Sequence, residues 1–221
     1  MIGGVRLKVC GITNSADAAA AVSHGADYLG FIVHPESPRH VPPETLGALT
    51  AGPRAWRSVA VSVAPAPEDL RRLRELGADF LQVHFPIEMP FAALQAWSQA
   101  VGPDRLWLAP RLPPGLDLPP GWLPLAETFL LDTYDPGKFG GTGRTGDWDK
   151  FRRHAARHPE KSWILSGGLG PENVAAALDQ GAAWIDVNSG VESAPGKKDP
   201  AKLAALAAAL KARPRPAAGG A

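Results

Sequence analysis

At 221 residues the chain has the length of one large domain, and its 45% hydrophobic and 20% charged residues are ordinary for a globular protein. Its net charge of +1 gives no electrostatic reason to expect nucleic acid or a membrane as a partner. No stretch approaches the ~20 apolar residues of a membrane-spanning helix, and the first residues predict no signal peptide. The single cysteine excludes an internal disulfide and is typical of the reducing cytoplasm.

Eight short apolar runs along the chain predict β-strands. They are nearly continuous in apolar character, which is typical of parallel strands buried on both faces. In chain order the predicted strands are residues 5–10, 28–33, 57–63, 80–84, 106–109, 128–132, 163–166 and 184–188.

Helical patterns lie between most of these strands. Many start at a capping residue or a proline and end just before a glycine. Seven helices are predicted, at residues 15–24, 43–51, 67–76, 91–101, 148–158, 171–180 and 199–211. The alternation of strands and helices predicts an α/β protein built from successive right-handed crossovers.

A proline-rich segment separates the fifth and sixth predicted strands. Six prolines between positions 110 and 124 are incompatible with a regular helix there. We therefore predict a single (β/α)8 TIM-barrel domain over residues 1–212, with the fifth helix degraded or missing. Residues 213–221 have nothing to bury and are expected to form a disordered C-terminal tail.

Cys10 and Asp132 each end a predicted strand, and the loops that follow the strands of a parallel barrel form its active-site face. We predict that the two side chains lie on opposite sides of one pocket as general base and general acid. A thiol can act as a base once its thiolate is stabilised, and apolar neighbours favour the raised pKa that an acidic Asp132 needs. The alternatives are a buried structural cysteine and a carboxylate that caps a turn.

Glycine-rich loops follow the last three predicted strands. Gly167, Gly168, Ser189 and Gly190 come after strands seven and eight, where many barrels bind phosphate through backbone N–H groups and a helix N-terminus. We predict a phosphate site there; two plain turns are the alternative. The loop that contains Gly141 follows strand six and is a weaker candidate for substrate binding.

Arg39 and His84 are further candidates for substrate binding. Arg39 follows the rigid pair Ser37-Pro38 in the second βα loop, where a guanidinium suits a carboxylate or phosphate; a solvated surface arginine is the alternative. His84 ends the fourth strand, where a core histidine is the main alternative.

No metal site is predicted. His154 and His158 have i, i+4 spacing, but they lie on the predicted helix 148–158, away from the catalytic face and with no evident third ligand. We expect no metal and no other cofactor.

Five groups of residues occur in a specific order. They are Lys8-Val9-Cys10-Gly11-Ile12-Thr13; Gly30-Phe31-Ile32 with Ser37-Pro38-Arg39; Leu131-Asp132 with Gly140-Gly141-Thr142-Gly143 and Asp147-Trp148; Ser166-Gly167-Gly168-Leu169 with Pro171-Glu172-Asn173-Val174; and Asp186-Val187-Asn188-Ser189-Gly190-Val191-Glu192 with Gly196-Lys197-Lys198-Asp199. Together they resemble the phosphoribosylanthranilate isomerase family of tryptophan biosynthesis, from residue 6 to about residue 210.

The resemblance implies a cofactor-free Amadori rearrangement of N-(5'-phosphoribosyl)anthranilate to 1-(2-carboxyphenylamino)-1-deoxyribulose 5-phosphate. By this likeness Cys10 is the general base, Asp132 the general acid, and Arg39 contacts the anthranilate end. The loops at Gly167-Gly168 and Ser189-Gly190 would hold the phosphate. One departure is that His84 is followed by Phe85-Pro86 instead of a glycine and an acidic residue.

Other interpretations make different demands on Cys10 and Asp132. The related aminoimidazole ribonucleotide isomerase of histidine biosynthesis has an aspartate where Cys10 stands, which argues against that activity and against a dual-substrate enzyme. A non-catalytic phosphate-binding barrel would not need both Cys10 and Asp132, and a redox role lacks a resolving cysteine. We expect a small phosphoribosyl substrate, no nucleic acid or membrane partner, a cytoplasmic location, and a monomer or homodimer.

Overall fold

Eight parallel strands close into a barrel in the computed structural model, which describes residues 1–132 and 147–212. The strands, β1 to β8, are Arg6–Val9, Tyr28–Ile32, Arg57–Val63, Phe80–Pro86, Leu106–Arg111, Thr128–Leu131, Ser162–Leu165 and Trp184–Val187. Each strand pairs with the next, and β8 pairs with β1, so the barrel has no open edge. The predicted barrel is confirmed.

Helices cover the outside of the barrel. The α-helices, α1 to α7, are Ser15–Ser23, Pro43–Thr50, Pro67–Glu75, Phe91–Val101, Trp148–Arg157, Val174–Leu178 and Pro200–Lys211. Between β5 and β6 there is only a 3₁₀-helix, Pro120–Leu125, so the predicted loss of the fifth helix is confirmed. None of the helices in the described part of the chain is long and apolar enough to cross a membrane.

Two segments differ from the prediction. The helix predicted at residues 171–180 begins only at Val174, because the Asn173 side chain accepts from Gly170 N–H (2.9 Å) and donates to the Gly168 carbonyl (2.8 Å), which holds the preceding loop in turns. After β8, a short antiparallel pair, β9 (Glu192–Ala194) and β10 (Lys197–Lys198), was not predicted. The predicted tail, residues 213–221, lies outside the described residues.

Alternate residues of each strand fill the barrel interior. One cluster has buried residues from β3, β5, β6, β7 and β8 together with Cys10, which follows β1, and partly buried residues of β2 and β4 pack against it, which is possible only inside the barrel. At the end where the strands begin, four aromatic rings contact one another, with ring centroids 4.7–5.9 Å apart. These are Tyr28, Phe80, Trp107 and Trp184, and we call them the aromatic plug. The plug closes this end of the barrel and leaves only the opposite end open to a ligand.

Helix α5 fixes the proline-rich segment that replaces the fifth helix. The Lys150 ammonium donates to the carbonyls of Leu112 (3.1 Å) and Pro113 (2.8 Å). Nε2 of buried His154 accepts from Leu118 N–H at 2.9 Å, so its ring proton lies on Nδ1, which donates to the Lys150 carbonyl at 2.8 Å. These side chains therefore satisfy backbone groups that no helix satisfies here.

We expect acid to destabilise the fold partly through His154. Burial lowers its pKa, so the folded state favours the neutral ring and the associated stability is lost as the pH falls below the ordinary histidine value of about 6.5. His154→Ala should lower the free energy of unfolding by about 1–3 kcal/mol at pH 8 and weaken the acid dependence of the melting temperature. His84, whose pKa is also lowered, preserves part of that dependence.

Thermal unfolding between pH 5 and pH 8 measures both effects. Arg152→Ala is the control, because Arg152 lies on the same helix and forms an exposed ion pair with Asp149. An unchanged pH dependence in His154→Ala would contradict the expectation.

Candidate active site

A cavity of about 480 Å³ opens at the end of the barrel where the strands finish. Its size is within the usual range for small-molecule sites. Four of the predicted site residues line it: Cys10, Arg39, His84 and Asp132. Ser166 and Asn188 also line it, and they directly precede the glycine loops after β7 and β8. Chain positions more than 100 residues apart therefore meet around one cavity.

Cys10 is fixed at the end of β1. Its thiol is buried, and its backbone N–H donates to the Val187 carbonyl at 2.8 Å. The next residue must be small: a Cβ on Gly11, whose φ is +73°, would lie 2.6 Å from Asn188 Oδ1 and 2.8 Å from Arg39 Cδ. Gly11 therefore lets Asn188 and Arg39 pack closely beside Cys10.

Asp132 follows β6 and lines the same cavity. Strands β7 and β8 separate it from Cys10 on the shorter way around the barrel, so the two residues approach the cavity from different sides. Its side chain is partly buried and has contacts of its own. Gly141, from the loop that follows, lies outside the described residues.

A buried ion pair lies beneath Cys10. The Lys8 ammonium is fully buried and is 2.9 Å from both carboxylate oxygens of Asp186. The two residues are register neighbours on β1 and β8. We did not predict this pair as functional, although a charged residue within an apolar strand is costly unless it is partnered and is itself a signal.

Burial and the charge of Lys8 act on the pKa of Cys10 in opposite directions. Burial raises the pKa of the Cys10 thiol above its ordinary value, while the positive charge of Lys8 acts to lower it. Burial also acts against the charge on Lys8, but Asp186 and Cys10 together raise the pKa of that ammonium. Lys8 is therefore a permanent cation next to a thiol whose anion would otherwise be unstable.

Arg39 is held by an ion pair at the cavity wall. Its Nε lies 2.9 and 3.1 Å from the two Glu192 carboxylate oxygens, and its Nη2 lies 2.7 Å from Oε2. Lys198 donates to Glu192 Oε1 at 2.9 Å and to Asn188 Oδ1 at 3.0 Å. Burial opposes ionisation of Glu192, yet its bonds from Arg39 and the charge of Lys198 keep its pKa below the ordinary value. Arg39 is therefore not the solvated surface arginine of the alternative interpretation.

A polar wall from β3 and β4 completes the cavity. Gln82 and His84 are 2.8 Å apart through Nε2 of each side chain. Burial, together with the charge of Lys8, lowers the pKa of His84 to about 4, so the ring is neutral near pH 7. Ser62 Oγ and Gln82 Oε1 are buried and have no hydrogen-bond partner within residues 1–132 and 147–212. This wall therefore offers neutral polar groups to a bound molecule.

The two glycine loops after β7 and β8 contact each other beside the cavity. A Cβ on Gly190 would lie only 2.1 Å from the Leu169 carbonyl oxygen, so a side chain there would push the loops apart. Gly167 and Gly168 have φ values of +99° and +60°, which favour glycine. Gly167, Gly168, Ser189 and Gly190 do not belong to the cavity lining itself.

Comparison with known proteins gives one consistent result. The family model described as N-(5'phosphoribosyl)anthranilate (PRA) isomerase matches residues 7–209. A curated N-(5'-phosphoribosyl)anthranilate isomerase from Neisseria meningitidis serogroup A is 37% identical over 207 residues, covering 92% of this chain and 95% of that protein.

Solved structures agree with the sequence comparison. Phosphoribosyl anthranilate isomerase from Thermus thermophilus superposes with a TM-score of 0.74 at 32% identity, covering 93% of this chain and 98% of that one. Another phosphoribosyl anthranilate isomerase, in complex with reduced 1-(o-carboxyphenylamino)-1-deoxyribulose 5-phosphate, gives a TM-score of 0.71 at 29% identity, covering 94% and 98%. The shared barrel, the length of the match and the level of identity show that the chain belongs to the N-(5'-phosphoribosyl)anthranilate isomerase family.

Proposed function

We propose that the protein converts N-(5'-phosphoribosyl)anthranilate into 1-(2-carboxyphenylamino)-1-deoxyribulose 5-phosphate, in tryptophan biosynthesis, by general acid–base catalysis. Family membership supports the reaction. The observation that carries the mechanism is that a thiol and a carboxylate, Cys10 and Asp132, line one cavity at the catalytic end of the barrel. A related enzyme binds a reduced form of the product, which has the same phosphosugar and carboxyphenyl groups.

The rearrangement needs two proton transfers at the sugar. Asp132 donates a proton to the ring oxygen as the furanose opens, which leaves an iminium ion. The Cys10 thiolate then removes the proton from C2', and the resulting enolamine tautomerises to the ketone. One acid and one base are sufficient for these steps, so we propose that no cofactor takes part.

Arg39 is suited to bind the anthranilate carboxylate. Glu192 engages its Nε and Nη2, which fixes the plane of the guanidinium at the cavity wall and leaves Nη1 outside that pair. A fixed guanidinium binds a carboxylate with less loss of side-chain entropy than a free one. We assign the phosphate to the backbone of the loops at Gly167-Gly168 and Ser189-Gly190, which lie directly after cavity residues Ser166 and Asn188.

The remaining expectations about the protein's surroundings stay predictions. We propose a phosphoribosyl small molecule as its substrate, with no nucleic acid or membrane partner, in a cytoplasmic monomer or homodimer. His84 is proposed as a neutral polar contact to the substrate, because its lowered pKa excludes a charged role near pH 7.

Replacing either proton-transfer residue should abolish most of the activity. We expect Cys10→Ala and Asp132→Asn each to lower kcat by ~10²–10⁴-fold, the range typical of lost acid–base catalysis. Steady-state kinetics with phosphoribosylanthranilate measures the loss, and circular dichroism checks the fold. Asp104→Asn is the control because this carboxylate is largely exposed. Turnover near the parent level in either variant would contradict the assigned pair.

Loss of Arg39 should mainly weaken substrate binding. Arg39→Met is expected to raise KM by roughly 10–100-fold, because a hydrogen-bonded charge contributes about 1.5–3 kcal/mol. The drop in kcat should be smaller than the rise in KM. Arg72→Met, which removes an exposed ion pair with Glu44, is the matched control. An unchanged KM in Arg39→Met would remove Arg39 from the binding site.

A side chain at Gly190 should disturb phosphate binding. Gly190→Ala places a Cβ against the Leu169 carbonyl, so the loops must separate, and we expect KM to rise at least about tenfold. Inorganic phosphate should inhibit the parent competitively and the variant more weakly. Gly121→Ala is the control, because the nearest atom to its new Cβ is 4.0 Å away. Equal inhibition of parent and Gly190→Ala by phosphate would place the phosphate elsewhere.

A further inference from the structure

Lys8 is a charged residue in the interior of the barrel. It lies two positions before Cys10 on β1, so both side chains project from the same face of the strand. Its side chain is fully buried, while interior side chains from other strands of the barrel, such as Val59, Trp107 and Ile164, are apolar or aromatic. A buried charge in such surroundings is unfavourable unless it is partnered, and its presence calls for a role.

Asp186 fixes the position of this charge. Both of its carboxylate oxygens lie 2.9 Å from Lys8 Nζ, and Asp186 itself lines the cavity. An ammonium has three N–H donors, and a carboxylate accepts two of them in this arrangement. The ion pair therefore lies at the cavity floor. One N–H group of the Lys8 ammonium is left to donate to another neighbour.

Gly30 shows how close Lys8 and Cys10 are. A Cβ built on Gly30 would lie 2.7 Å from the Cys10 Sγ atom and 3.1 Å from the Lys8 Cε atom. Both side chains thus occupy the space that any larger residue on β2 would fill. Because the ammonium is one bond beyond Cε, it lies in the immediate neighbourhood of the thiol.

We propose that Lys8, held in place by Asp186, is a positioning residue that stabilises the thiolate of Cys10 for the proton abstraction described above. Lys8 keeps its proton throughout: Cys10 releases its thiol proton to solvent to become the base and then takes one from C2' of the substrate. The inference rests on the proposed function for the substrate and for the role of Cys10 as the base, whereas the effect of Lys8 on the thiol can be tested without either. The closeness of Cys10 and Lys8 to β2 explains why Gly30 must lack a side chain.

The charged groups around the thiol set the sign of the expected effects. Lys8 and Lys198 favour the thiolate, whereas Asp186 disfavours it. Removing Lys8 should therefore make the thiolate rarer, and removing the charge of Asp186 should make it more common. If the ion pair served only to hold β1 and β8 together, loss of Lys8 and loss of Asp186 would change the reactivity of Cys10 in the same direction.

The test measures the reactivity of the thiol directly. Cys10 is the only cysteine in the chain, so the rate of alkylation of the full-length protein by iodoacetamide between pH 6 and pH 10 reports on this thiol alone. We expect Lys8→Met to shift the apparent pKa upward by about one unit and slow alkylation about tenfold near pH 7. Lys211→Met is the matched control at the exposed end of α7. Unchanged alkylation in Lys8→Met would overturn the proposal.

Asp186→Asn provides a second test, in which the expected change in alkylation rate has the opposite sign. It should speed alkylation near pH 7, and this arm decides the question if Lys8→Met does not fold. Slower alkylation in Asp186→Asn would overturn the proposal and favour a structural pair.

Alkylation needs no substrate, so the expected thiol shifts in a protein without isomerase turnover would refute the proposed function and leave the role of Lys8 intact. In an active enzyme, Lys8→Met should lower kcat near pH 7 and move the limb of the kcat–pH profile that reports on Cys10 to higher pH.

Discussion

Closure of the eight-stranded sheet is the constraint on which the rest of the structure depends. A closed barrel directs alternate side chains into a narrow interior, and that interior must be filled. Here the aromatic plug fills the end where the strands begin. Nearer the other end, Gly30 leaves room for the side chains of Cys10 and Lys8. The cavity therefore opens on one side only, and the residues that end the strands become its wall.

The interior also decides the electrostatics of the site. Lys8 and Asp186 form an ion pair between the aromatic plug and the cavity, where little water reaches them. In such a medium, charges act strongly on their immediate neighbours. The same Lys8 that favours a Cys10 thiolate also helps to lower the pKa of His84 to about 4. One buried cation thus favours a thiolate on one side of the cavity and a neutral ring on another.

Side chains from the outer layer hold the segments that regular secondary structure does not. Glu192 orients Arg39 and accepts from Lys198, which connects the second βα loop to the segment after β8. Lys150 and His154 satisfy the backbone of the proline-rich connection where the fifth helix is missing. Both networks keep loops in fixed positions around a rigid barrel, as accurate placement of the proposed acid and base would require.

The sequence by itself determined the strand and helix order, the barrel, the lost fifth helix and the residues that end strands, because apolar periodicity, proline and glycine act locally. It placed Cys10 and Asp132 at strand ends, and the barrel topology brought them to one cavity. Only the tertiary structure revealed that Lys8 pairs with Asp186, 178 residues away, and that Glu192 holds Arg39. It also showed that Asn173 delays the start of α6. These features depend on which side chains become neighbours and how deeply they are buried, and no local pattern along the chain encodes either.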